Sequence, residues 1–429
     1  MAQSTIPNKW NFSRRFRVLL SVYFLFLFLD FTSEDELFPH FVYVMMKFYT
    51  NFWNWAIPWT GANILHLSYP ITVTPNGSGD TTYNYVMQLL WIVFAVIIAL
   101  VWAIADRKRL NYEKLYYWIV ICVRYFLAYM LFVYGFVKVI KLQFPFPDLV
   151  RLTQPYGESS PMGLAWTFVG YSAGYNIFIG GAEVLAGILL FFKRTTLLGS
   201  LIAMTVMCNV VAMNFAYDIP VKIFSLNLLF LASWIAWIDK DRLVSFFILH
   251  NALPENPKQP IFKTRWKKII QLSMKTVVII FAFYATLWSN LNMAKKYGDA
   301  VKKPSLYGIY DIKTFIKNNK LIEPLATDST RWKRIIINYP GYVRITNIAD
   351  SAIWMKLKVD TLKQTLKFTS TADSTDFYTL NYKIDKKSLN LSGKLRGDSV
   401  QIQTQIFDYK KFPLVSRGFH WINEYPNNR

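Results

Sequence analysis

GGAEVLAGILLFFKRTTLLGSLIAMTVMCNVVAMNFAYDIPVK, residues 180–222, is the stretch whose reading decides the fold. One apolar segment ends at Phe192, a basic pair (Lys193, Arg194) turns the chain, a second apolar segment follows, and an acidic corner leads into a third. Glu183, Asn209, Asn214, Asp218 and Lys222 sit inside or beside these runs. An ionisable group within a membrane helix costs on the order of 2.5–3.5 kcal/mol on insertion scales, so each one needs a partner or a task.

The same texture extends outward through most of the chain. Of 429 residues, 53% are hydrophobic and 17% aromatic, and several windows approach the roughly 20 apolar residues that cross a bilayer. That composition excludes an ordinary soluble enzyme and predicts a polytopic membrane protein. The formal charge of +22 is divided between the two sides of the membrane and is not read as a nucleic-acid signature. The spans fall at about 16–38, 85–105, 117–140, 175–192, 195–215, 220–238 and 269–290. Basic segments (Arg14, Arg15 and Arg17; the run from Arg107 to Arg109; Lys193 and Arg194; the segment from Lys263 to Lys268) alternate with acidic or proline-rich ones, giving about seven spans with the N-terminus cytoplasmic. The first run lacks a small-x-small cleavage site and is expected to be retained as a span. The aromatic stretch FVYVMMKFYTNFWNWAIPW, in a long loop over about 39–84, predicts an amphipathic or partly embedded helix.

From about residue 291 the pattern changes. A helical patch, YGIYDIKTFIKNN, is expected first; then come WKRIIIN, YVRITNI, AIWMKLKVD, TLKFTS, FYTLNYKI, SLNLSGKL and SVQIQTQI, which alternate with period two. Short connections bearing Pro340-Gly341 and Gly397-Asp398 predict an antiparallel meander or barrel-like β domain. The fold class is therefore a mainly α polytopic membrane helix bundle over 1–290, followed by an extracytoplasmic β-rich domain over 291–429. The aromatic, amphipathic end, Arg417 to Pro426, is expected to plug one end of the sheet, with docking of the sheet on the membrane as the alternative.

Cys122 and Cys208 fall in apolar segments and read as buried free thiols. The four histidines lie outside the apolar cores, so an intramembrane bis-histidine haem is not expected, and no cluster has metal-site spacing. The chemistry-bearing residues lie elsewhere. Arg124, Leu131 and Lys138 are seven apart and share a helix face with Ala128 and Gly135 between them. Glu183 lies about two turns into its span among Gly180, Gly181, Ala182, Ala186 and Gly187, too deep and too short to snorkel. It must be protonated, paired with a cation or lining a polar cavity. Asn209 and Asn214, five apart, face different directions. Asp218 reads as an N-cap with Pro220 in the first turn of the following helix, and as an i,i+4 partner of Lys222. At a common depth, Lys138, Glu183, Asn214, Asp218 and Lys222 converge in the outer half of the bilayer.

RYFLAYMLFVYGFVKVIKLQFP (124–145), the 180–211 run and NFAYDIPVK (214–222) resemble the DoxX-like bacterial membrane proteins over roughly residues 115–245. The resemblance implies a helix bundle carrying an intramembrane acid, here Glu183, and an association with membrane redox systems that include quinone-linked oxidoreductases. In plan, a bundle with an extracytoplasmic β domain is also similar to the vitamin-K-dependent carboxylase-like proteins. The expectation is a bacterial inner-membrane protein with a periplasmic C-terminal domain, binding a quinone or polyprenyl-type lipid and meeting a periplasmic or membrane redox partner. Glu183 would donate or accept the proton, and Lys138, Lys222, Arg124, Asn209 and Asn214 would contact the ligand. A non-enzymatic scaffold recruiting envelope partners is the alternative from another class, and a small-anion or proton transporter a third.

Overall fold

A computed structural model describes residues 10–34, 40–252, 265–325 and 328–427. The helices are α1 (Phe12–Leu19), α2 (Val22–Glu34), α3 (His40–Asn63), α4 (Thr82–Ala105), α5 (Glu113–Val139), α6 (Leu149–Leu152), α7 (Pro161–Tyr171), α8 (Ala173–Phe191), α9 (Thr196–Ala216), α10 (Lys222–Ile238), α11 (Lys240–Phe247) and α12 (Arg265–Ala294). Among the described residues five helices are long and apolar enough to cross a membrane, or six if α10 and α11, bent by 73°, form one broken span. They begin and end within a few residues of the expected spans. The first expected span is broken at Leu20–Ser21 between α1 and α2, and its end, 35–39, lies outside the described residues. The aromatic stretch forms α3, a 24-residue helix that contains Pro58.

The chain divides into two compact units, one comprising 1–143 and 173–294 and the other 144–172 and 295–429. The division therefore does not fall at a single point near residue 290. In the first unit a core of Trp53, Trp91, Leu127, Phe132, Leu190, Phe191 and Leu231 joins α3, α4, α5, α8 and α10. The α5–α8 pairing is the most extensive between helices, and glycine explains why. A Cβ on Gly180 would lie 2.6 Å from the Gly135 carbonyl oxygen, and one on Gly135 would lie 2.7 Å from Val184. Small residues at both crossing points let the two backbones touch. Cys122 and Cys208 are free but exposed on the helix surfaces, which corrects the expectation of burial. An apolar thiol is as well placed against acyl chains as in a protein core.

The second unit is a closed antiparallel barrel. Its sheet runs β2-β1-β3-β4-β5-β6-β7-β8-β9, and β1 also pairs with β9, so β2 is an extension and the other strands form the ring. The strands are β1 (Gly308–Lys317), β2 (Lys320–Leu321), β3 (Trp332–Ile337), β4 (Tyr342–Asn347), β5 (Ala352–Asp360), β6 (Thr365–Ser370), β7 (Phe377–Ile384), β8 (Leu389–Leu395) and β9 (Asp398–Phe407). The expected helical patch is in fact β1, the strand that closes the ring. A bulge between Ile312 and Thr314 shifts its register against β9. Tyr310 and Ile312 face the barrel interior two residues apart, and the bulge puts the next interior residue, Phe315, three further on. Ile309 is buried on the other face against Leu149 and Ile336, so the buried positions of this strand imitate the period of a helix. Elsewhere the alternation holds: Tyr378, Leu380 and Tyr382 of β7 point inward, and Trp332 packs on Phe315, Phe368 and Tyr378. Arg396 and Gly397, both at positive φ, make the β8–β9 turn, beside which Asp398 pairs with Lys317 at 2.8 Å. Hydrogen bonds from Lys317 and Asn318 hold the Asp398 carboxyl below the usual carboxylate range.

Residues 144–172, expected as part of a loop between spans, belong to this second unit. Leu149 packs with Ile309 and Ile336, its N–H donates to Asn338 Oδ1 (3.1 Å), and the Tyr339 hydroxyl donates to Asp148. Burial and the Asp148 charge raise the Tyr339 hydroxyl above its ordinary value.

Candidate functional site

The close α5–α8 crossing sets Lys138 beside Glu183. Lys138 Nζ lies 2.9 Å from Glu183 Oε2, with the side chains 6% and 2% exposed, and also donates to the Tyr134 carbonyl at 3.2 Å. Of the three states open to so deep a carboxylate, pairing with a cation is the one found. The pair is a closed, net-neutral unit inside hydrocarbon, and its geometry holds two helices in register.

The other expected residues do not join it through any hydrogen bond or ion pair among the described residues. Arg124, one turn beyond Ala128 on the same face, donates from Nε and Nη2 to the Leu190 carbonyl (3.2 and 2.8 Å). It thereby satisfies one of the unpaired carbonyls at the C-terminal end of α8, where a cation also suits the helix dipole. Asn209 is exposed on α9. Asn214 is buried and donates to Ser225 Oγ (3.0 Å) and the Val221 carbonyl (3.4 Å), which ties α9 to α10.

Asp218 is not an N-cap, contrary to the sequence expectation. It sits at φ +50° with its side chain 87% exposed, and α10 begins four residues later at Lys222. Asp80, from the loop before α4, supplies the cap instead: its two oxygens accept from the Lys222 N–H (2.7 Å) and the Ile223 N–H (3.0 Å). The Gly79 N–H donates to the Pro220 carbonyl at 2.8 Å and fixes that loop. Lys222 Nζ then lies between Asp218 (2.9 Å, the expected i,i+4 contact) and Asp80 (3.8 Å). The local rule that places a cap one residue before the helix cannot find a cap supplied 142 positions away.

A different set of residues forms a cavity in the first unit. A slot of about 720 Å³ runs between α1, α2, α4, α5 and α10, within the size range of small-molecule sites. Its wall is aromatic, from Phe24, Tyr116, Phe230 and Trp234. Arg14, Arg17, Trp10 and Trp237 line one end; Tyr23, Gln88 and Asn227 line the other. Asn227 and Trp237 are ten residues apart on α10, so the slot is about 15 Å long at 1.5 Å per residue.

Tyr23, Gln88 and Asn227 close a ring of hydrogen bonds. The Tyr23 hydroxyl donates to Asn227 Oδ1 at 2.6 Å, Asn227 Nδ2 donates to Gln88 Oε1 at 3.2 Å, and Gln88 Nε2 donates to the Tyr23 hydroxyl. Each amide nitrogen carries two hydrogens and the ring uses one from each. The ring thus leaves one N–H of each amide unused, and both residues line the slot. Sequence reasoning missed this set, although a signal was present: Gln88 and Asn227 are single amides within otherwise apolar runs, as conspicuous as Asn214.

Fold and sites together define a multi-pass membrane helix bundle that carries a β-barrel unit. The chain is 37% identical, over 126 residues, to "Uncharacterized protein YwoB" of Bacillus subtilis (strain 168); the match spans 29% of this chain and 79% of that protein. The chain belongs to that protein's family. No family model matches the chain, and no solved structure matches it.

Proposed function

We propose that this protein binds a quinone, or another polyprenyl-type lipid with a hydrogen-bond-accepting head, inside its helix bundle as part of a membrane redox system. The observation that carries the proposal is the slot that ends on Tyr23, Gln88 and Asn227. A mainly apolar cavity with a few convergent polar groups suits a ligand of that type. The quinone carbonyl accepts from the free amide hydrogens, and the aromatic wall receives the ring and the start of the tail. Glu183 and Lys138 serve packing in this reading and do not touch the ligand, because each already has the other. The likeness to DoxX-like proteins supports the same ligand class. The inner membrane, with the α1 end cytoplasmic and the β unit periplasmic, is the proposed location and orientation.

Titration of a short-chain quinone into the protein in nanodiscs, read by quenching of its tryptophans, tests the proposal. Trp234 and Trp237 line the slot and report directly. Saturable quenching is expected. Losing two hydrogen bonds in Gln88→Leu/Asn227→Leu is expected to weaken affinity on the order of tenfold or more. Equal affinity in that variant, or quenching that never saturates, contradicts the proposal.

A further inference from the structure

The C-terminal end, residues 417–427, does not plug the barrel. Its apolar side chains face away from the protein: Trp421 is 91% exposed, Tyr425 84%, Phe419 78% and Ile422 77%. The barrel interior is filled instead by its own strands. The end is nevertheless held in a defined hook. Arg417 Nη2 donates to Asn423 Oδ1 (2.5 Å), Asn423 Nδ2 donates to the His420 carbonyl (3.2 Å), and the Phe419 and Trp421 rings lie edge to face at 5.0 Å. A water-facing loop gains nothing from four large apolar side chains held in place, so the arrangement calls for an apolar surface to receive them.

The anchorage of the hook indicates which surface that is. The Tyr171 hydroxyl donates to the Arg417 carbonyl at 2.9 Å. Tyr171 ends α7, and two residues later Ala173 begins α8, one of the helices long and apolar enough to cross a membrane. The hook is therefore tied within two residues of the start of a helix that is apolar enough to enter a bilayer. Its composition agrees. Trp and Tyr concentrate at the depth of lipid headgroups, while Lys410, Lys411 and Arg417 supply cations for lipid phosphates.

We propose that residues 417–425 form a membrane-interface anchor, in which Phe419, Trp421, Ile422 and Tyr425 insert among the lipid headgroups and upper acyl chains and hold the β unit against the bilayer. The anchor stands independently of the quinone reading.

A polarity-sensitive fluorophore placed at Trp421→Cys, in full-length protein with Cys122→Ser and Cys208→Ser, tests this in liposomes that contain phosphatidylglycerol and shallow spin-labelled lipid. The same label at Leu362→Cys, on an exposed turn of the barrel, serves as reference. Because both labelled positions are exposed, neither change burdens folding. The anchor predicts blue-shifted emission and strong spin-label quenching at 421, with neither at 362. Emission at 421 equal to that at 362, without quenching, overturns it. A blue shift at 421 that grows with protein concentration and ignores the spin label also overturns it, in favour of a second protein chain as the occupant.

Discussion

At the scale of single residues, the decisive pair is Lys138 and Glu183. Two charges 2.9 Å apart and almost wholly buried stabilise each other mainly by sparing one another an unpaired state. Removing one partner is therefore expected to cost more than removing both. Glu183→Gln should destabilise the bundle by about 3–5 kcal/mol, while Lys138→Met/Glu183→Leu should recover most of that loss. Thermal unfolding of wild type, Glu183→Gln and Lys138→Met/Glu183→Leu in one detergent gives the comparison; a double variant as unstable as the single one would show that the pair does more than satisfy itself. That Glu183 is a buried acid was legible in the sequence, because depth and small neighbours leave a carboxylate only three choices, protonation, a cation or a polar cavity. That the cation is Lys138 and not Lys222 was not legible, since it depends on the Gly135–Gly180 contact and on Asp80 engaging Lys222 first.

At the scale of elements, most helices were readable from apolar runs punctuated by charge, and β3 to β9 from alternation. β1 was not, because its bulge replaces a two-residue period with a three-residue one. The cap of α10 was also misassigned, because it arrives from the loop before α4 rather than from Asp218. Asp80→Ala is expected to expose the first two amides of α10 and to cost about 1 kcal/mol, the usual value of a lost cap, or somewhat more from the burial of the site. Hydrogen exchange at residues 222–225 should quicken in Asp80→Ala and stay near wild type in Asp218→Ala. The reverse order would restore Asp218 as the cap.

At the scale of the whole molecule, one chain builds a helix bundle with an aromatic slot and a closed β barrel that takes in the segment between α5 and α8. The slot joins residues from α1, α2, α4, α5 and α10, which lie far apart in the chain, so no local motif announces it. Only the isolated amides Gln88 and Asn227 hint at it, and their meaning depends on which helices become neighbours. We propose that this slot holds a quinone or polyprenyl-type lipid. Purification from native membranes in mild detergent, followed by lipid extraction and mass spectrometry, tests it most directly. Such a lipid, enriched over bulk phospholipid, is expected with wild type and with Lys138→Met/Glu183→Leu, and is expected to be lost from Gln88→Leu/Asn227→Leu. Only bulk phospholipid with wild type, or the same enriched lipid from all three proteins, would contradict it.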